Sequence, residues 1–303
     1  TSQVVKVAGL NLMTRNLCWP RFSLAGMKEV IGFGGFVSLD KTLWFVFAES
    51  DKFIGGKLLG KELLGFYTVA NHLASLPINK IAGLISAVAF PAFSKVQADL
   101  GSVRFYLHKA IRLVSVFAFP VFFGISSVAS GAVGVFLGEK WAAAVTPLVI
   151  LALVMPFRMI STVMPPVLWG IGKPRISAEN FFLAGLIMIP AFAIGAQFGA
   201  AGLALAWAAA YPLVFMLTTH RAASAVGSGL FGIASEMLSP VLAATGMYVA
   251  VVLAKELAFG SEDSILNLAQ LVLVGAITYP LLLWLINRAL VDEMLDLLRG
   301  RKS

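Results

Sequence analysis

Residues 51–97, DKFIGGKLLGKELLGFYTVANHLASLPINKIAGLISAVAFPAFSKVQ, decide the fold class. The first part is an amphipathic connection, in which apolar positions alternate with Lys52, Lys57, Lys61 and Glu62 among four glycines. The run from Leu63 to Phe93 then reads as one apolar helix, longer than the roughly 20 residues a bilayer requires. Its polar residues are Thr68, His72, Ser75, Asn79 and Ser86. At about 100° per residue these five fall within a sector of roughly 60°. A polar line along a membrane helix must face protein or water, because lipid cannot satisfy it. Two readings stay open: a packed seam in which Ser, Thr and Asn join helices, or the wall of a hydrated cavity.

The rest of the chain agrees on class. Of 303 residues, 59% are hydrophobic and only 13% charged, and the mean hydropathy is +0.90. Soluble domains run near a quarter charged, so the sequence predicts an all-α integral membrane protein. Apolar segments long enough to span lie near 29–50, 63–93, 110–136, 143–170, 177–196, 199–219, 237–255 and 265–287. The fifth and sixth are separated only by G-A-Q-F-G-A-A-G, a tight hairpin. The domain reading is therefore a linker over 1–28, a helix bundle over 29–287 and an amphipathic tail over 288–303. Nine prolines (120, 147, 156, 165, 166, 190, 212, 240 and 280) sit in or at the ends of these helices and permit bends. Cys18 is the one cysteine, which excludes an intramolecular disulfide and a thiolate metal cluster.

The net charge of +8 does not point to nucleic acid, because the basic residues sit in short connections between apolar runs. On the side of Thr1 they are Lys6, Arg15, Arg21, Lys28, Lys95, Arg104, Lys109, Arg112, Lys173, Arg175, Arg221, Arg288, Arg299, Arg301 and Lys302. The opposite side has Lys52, Lys57, Lys61, Lys140 and Lys255, so the positive-inside rule places both ends in the cytoplasm.

Three cations, Lys41, Lys80 and Arg158, remain inside spans. A charge near the bilayer centre costs about 2.5–3.5 kcal/mol on insertion scales, so each is a candidate functional residue, with snorkelling as the alternative. The pairs Asp40-Lys41 and Asp51-Lys52 are 11 residues apart, about 20° past three turns, which places them on nearly one helix face about 16 Å apart. That face lines a cavity or meets a neighbouring bundle. The candidate substrate-binding set is Asp40, Lys41, Asp51, Lys52, His72, Ser75, Asn79, Lys80 and Arg158. There is no H-E-x-x-H, P-loop or G-x-S-x-G, the three histidines are dispersed, and the outer connections are short. The sequence thus predicts neither an enzyme nor a resident metal or cofactor.

The segments D-K-F-I-G from Asp51, L-G-K-E-L-L-G-F-Y at Leu59–Tyr67, L-P-I-N at Leu76–Asn79 and A-F-P-A-F-S-K-V-Q at Ala89–Gln97 resemble one family in their order and spacing. F-L-G-E-K-W at Phe136–Trp141 and G-I-G-K-P at Gly170–Pro174 agree. The family is the bacterial polysaccharide flippases of the multidrug/oligosaccharidyl-lipid/polysaccharide exporter superfamily. The resemblance implies a two-lobe transporter of which this is the C-terminal lobe, with an N-terminal helix bundle preceding it. It also implies alternating access in the bacterial inner membrane and export of O-antigen or exopolysaccharide repeat units on an undecaprenyl diphosphate carrier. The implied partners are lipid-linked oligosaccharide, membrane lipids, and polysaccharide polymerase and export proteins. W-P-R-F-S at Trp19–Ser23 resembles the linker between the two lobes. Proton and sodium coupling both stay open. The alternatives are a cation-coupled drug exporter, which favours acidic cavities over the basic one expected here, and a polymerase or scaffold of a polysaccharide assembly complex.

Overall fold

The computed structural model describes residues 27–259 and 264–298. The linker expected over 1–28 falls almost wholly outside them, as do residues 299–303 of the tail. By internal contacts residues 1–35 and 36–303 form two units; the described part of the first is the opening of helix α1, and the packing below is that of the second.

Every long apolar run forms a helix, and no strand occurs among the described residues. They are α1 (Met27–Leu58), α2 (Gly60–Val96), α3 (Leu100–Ser127), α4 (Ala129–Leu137), α5 (Val145–Ser161), α6 (Met164–Gly170), α7 (Pro174–Gly195), α8 (Gly199–Ser224), α9 (Leu230–Ala254), α10 (Ile265–Ile286) and α11 (Arg288–Leu298). Three expectations need correction. The helix of the third span begins at Leu100 rather than 110, with Arg104, Lys109 and Arg112 in its first turns. It also breaks at Val128 before α4. The fourth span is two helices, since Pro165 and Pro166 pre-set the first turn of α6 just after α5 has closed at Thr162. The hairpin between α7 and α8 is a single 3₁₀ turn, Ala196–Phe198, and Gly199 leaves it at φ 80°.

Helix α5 is the hub. It packs on α2, α3 and α8, and it buries Leu148, Leu151, Met155 and Ile160 almost completely. Around it α7 pairs with α8, and α9 pairs with both α3 and α10. At the α2–α3 connection Asp99 caps α3: its carboxylate accepts from the Gly101 and Ser102 amides at 2.9 and 3.3 Å. The Ser102 hydroxyl and those amides hold the Asp99 carboxyl below the usual carboxylate range.

The charge alternation after Arg288 forms helix α11, whose Leu290 is buried. An ion network ties it to the bundle. Arg112 donates to Glu236 of α9 at 2.5 Å and to Glu293 of α11 at 2.8 Å, and Lys109 lies 3.6 Å from Glu293. His108 joins Glu236 at 3.1 Å and the Ser228 hydroxyl at 2.8 Å. Arg112→Met keeps the apolar stem but removes the cation that Glu236 and Glu293 share, leaving them His108 and Lys109, at a cost of about 1–2 kcal/mol. Limited proteolysis is expected to cut at α11 faster in that variant, with a lower unfolding temperature; unchanged proteolysis would show that Leu290 packing alone holds the helix.

Candidate functional site

The polar line of α2 is partly open. His72 and Asn79 are exposed, and Thr68, Ser75 and Ser86 are half-buried. The Ser75 hydroxyl donates to the Asn71 carbonyl one turn back, so it is largely committed to its own helix. Lys80 is exposed and stands to one side of the line.

On α1 the neighbours Asp40 and Lys41 diverge, as adjacent helical residues must. Asp40 turns inward beside Ser177 of α7, is 2% exposed, and has one carboxylate oxygen with no hydrogen-bond partner among the described residues. Lys41 is exposed, its ammonium 5.9 Å from the Trp169 ring. Asp51 and Lys52 diverge in the same way. The Lys52 ammonium lies 2.8 Å from Glu49, while Asp51 is completely enclosed. Asp40 and Asp51 are thus both on the inward face of α1, as the 11-residue spacing requires.

Asp51 is the centre of a polar cluster built from α1, α2 and α8. Its Oδ2 accepts from the Tyr67 hydroxyl at 2.5 Å and from the Trp207 indole N–H at 3.3 Å, with the Asn71 amide at 3.5 Å. Its Oδ1 accepts from the Lys52 backbone N–H at 2.7 Å. The indole N–H also reaches the Tyr67 oxygen at 3.0 Å. Phe47, Phe192 and Tyr211 surround the indole with ring centroids 5.6, 5.1 and 5.4 Å away.

Arg158, projecting from α5, meets this cluster from the other side. Its guanidinium carbon is 4.2 Å from the Trp207 ring centroid, and one nitrogen lies 3.6 Å from the Met155 sulfur. No carboxylate lies within ion-pair distance of it among the described residues. Just beyond Tyr211 is a cavity of about 50 Å³ lined by Phe47, Ser161, Ser177, Asn180, Tyr211 and Thr218, where the Tyr211 hydroxyl donates to Ser161 at 3.1 Å.

The site therefore brings Asp51 and Arg158 together through Trp207, and leaves His72, Asn79, Lys80 and Lys41 on open surface. Tyr67 and Trp207 were missed as site residues. Their signals were a tyrosine immediately before the first residue of the polar line and a lone tryptophan in the run of small residues Gly199–Ala210. No group of three His, Cys, Asp or Glu side chains able to hold a metal occurs among the described residues.

Residues 1–146 match the family model of polysaccharide biosynthesis proteins. The teichuronic acid biosynthesis protein TuaB of Bacillus subtilis is 27% identical over 294 residues, covering 93% of this chain and 58% of its own. The succinoglycan biosynthesis transport protein ExoT of Rhizobium meliloti is 27% identical over 308 residues, covering 99% and 61%. The chain is similar to polysaccharide biosynthesis membrane proteins. The resemblance read from residues 51–97 to polysaccharide-biosynthesis membrane proteins agrees with these matches. Among solved structures, the lipid II flippase MurJ in an inward closed conformation superposes with a TM-score of 0.69 at 16% identity, covering 90% of this chain and 57% of that one. At that identity the match shows the fold: this chain has the helical arrangement of part of a flippase. The chain spans less than two thirds of the length of each of these proteins.

Proposed function

We propose that this chain translocates lipid-linked oligosaccharide repeat units from the cytoplasmic to the outer leaflet of the bacterial inner membrane. The carrier lipid is undecaprenyl diphosphate, the cycle is alternating access, and both ends of the chain lie in the cytoplasm. Translocation needs no bond making, so the chain acts as a carrier rather than an enzyme.

One observation carries the reading. Arg158 is a half-buried guanidinium laid on an aromatic face, with no carboxylate to neutralise it among the described residues. A guanidinium without a carboxylate partner offers a diphosphate two parallel charge-assisted hydrogen bonds, which that partner would otherwise occupy. Lys41 adds an exposed point charge, and His72, Asn79 and Ser86 offer hydrogen bonds suited to sugar hydroxyls. The printed names of ExoT, a transport protein, and MurJ, a flippase, support the same class. The excess of Lys and Arg on the side of Thr1 supports the orientation.

The test is transbilayer movement of a fluorescent undecaprenyl-diphosphate oligosaccharide in proteoliposomes, followed by its exposure to an impermeant quencher. Arg158→Gln loses a charge-assisted contact, for which a drop of about tenfold or more is expected, with Arg158→Lys in between. Wild-type rates in Arg158→Gln would remove Arg158 from the path. No movement by the wild-type protein would refute the reading as a whole.

A further inference from the structure

We propose that Asp51 is a positioning residue for Arg158, acting on it through the indole of Trp207; the inference rests on the reading of Arg158 as the headgroup ligand. The groups that reach Asp51 are the Lys52 amide, the Tyr67 hydroxyl, the Trp207 indole and the Asn71 amide. Backbone, indole and side-chain amide N–H groups can only donate, so both Asp51 oxygens act as acceptors. The side chain is sealed from solvent, and no cation lies within ion-pair distance of it among the described residues. A buried carboxylate without a counter-charge is costly.

The geometry supplies the counter-charge indirectly. Trp207 points its N–H at Asp51 and offers its ring face to Arg158, 4.2 Å away. Donation to an anion pushes electron density into the indole, which deepens the negative potential over the face and strengthens its hold on a cation. Phe47, Phe192 and Tyr211 clamp the ring, so it cannot swing to satisfy only one side. A direct Asp–Arg pair would neutralise the guanidinium and occupy its donors. Routed through the indole, the same balance holds Arg158 in place and leaves its N–H groups without a carboxylate partner, open to an anionic headgroup.

The test uses Asp51→Asn and Trp207→Phe, each alone and combined with Arg158→Gln, in the whole protein in nanodiscs. One readout needs no substrate: the rate at which phenylglyoxal modifies Arg158, followed by peptide mass spectrometry. The other is affinity for undecaprenyl diphosphate. Both single variants are expected to speed modification of Arg158 severalfold and to weaken undecaprenyl diphosphate binding about tenfold. Neither is expected to weaken it further once Arg158 is glutamine. Should Asp51→Asn fail to fold, Trp207→Phe, which keeps a ring but loses the N–H, carries the test. Unchanged modification in Trp207→Phe overturns the proposal, as does an equal loss of affinity from Asp51→Asn in the Arg158→Gln background. If Arg158→Gln itself binds like wild type while Asp51→Asn still speeds modification, positioning stands and the headgroup reading falls.

Discussion

Asp51→Leu is expected to lower the stability of the protein by about 2–4 kcal/mol, among the largest effects of any single substitution. The leucine fills comparable volume but leaves the Tyr67 hydroxyl without the acceptor it now has at 2.5 Å and the Trp207 indole N–H without its contact to Asp51 at 3.3 Å, while the Lys52 amide keeps its helix bond. It also removes the carboxyl group that faces Arg158 across the indole. The Trp207 N–H retains the Tyr67 oxygen at 3.0 Å, which keeps the loss below that of a fully stripped network. Thermal unfolding in detergent and the amount of protein accumulating in the membrane both read the effect. Asp51→Asn keeps one acceptor and falls between. A leucine variant as stable as wild type would show that the cluster contributes no net stability.

The second large effect is expected at the α7–α8 hairpin, from Gly202→Val. A side chain on Gly202 would run into the Gly195 carbonyl oxygen and lie 2.7 Å from the Phe198 Cβ; one on Gly195 would lie 2.9 Å from the Ala206 Cβ. The obstacle is backbone, which cannot rotate out of the way, so the two helices must part. Overpacking of this kind costs about 1–3 kcal/mol, and the rigid obstacle puts Gly202→Val at the upper end. Trp207 lies five residues further along α8, so parting the hairpin also displaces the ring beneath Arg158. Gly202→Val is therefore expected to lose both stability and transport. Gly185→Ala in α7 is the control: a side chain there meets only the tip of Ile189 at 3.9 Å, so stability is expected to hold or rise slightly. Equal losses at both positions would mean that the hairpin is not specifically close-packed.

What the sequence made legible were the properties that depend on single segments. Apolar length identified the membrane helices, and two glycines around Ala196–Phe198 identified the hairpin. The 11-residue spacing identified the shared inward face of Asp40 and Asp51. The helix breaks at Val128 and at Thr162–Val163 were hidden inside continuous apolar runs, where hydropathy is blind to backbone geometry. The start of α3 was hidden for the opposite reason: Arg104, Lys109 and Arg112 interrupt the apolar pattern, although their partners Glu236 and Glu293 make them good helix surface. The Asp51–Tyr67–Trp207 cluster joins residues up to 156 positions apart, and one sequence carries no signal for that pairing. Arg158 was conspicuous alone because a charge in a span is expensive; the indole that makes it tolerable was not.

In the proposed cycle His72, Asn79 and Arg158 each line a hydrated path for a lipid-linked oligosaccharide. The most direct measurement is cysteine accessibility in a Cys18-free protein, with Lys41, His72, Asn79 and Arg158 replaced one at a time. A membrane-impermeant thiol reagent is applied from each side, and Val88→Cys on the opposite face of α2 serves as the lipid control. Labelling at the four positions, slowed by undecaprenyl-diphosphate oligosaccharide and absent at Val88, is the predicted result. No labelling from either side, or labelling that the oligosaccharide leaves unchanged, would contradict the account.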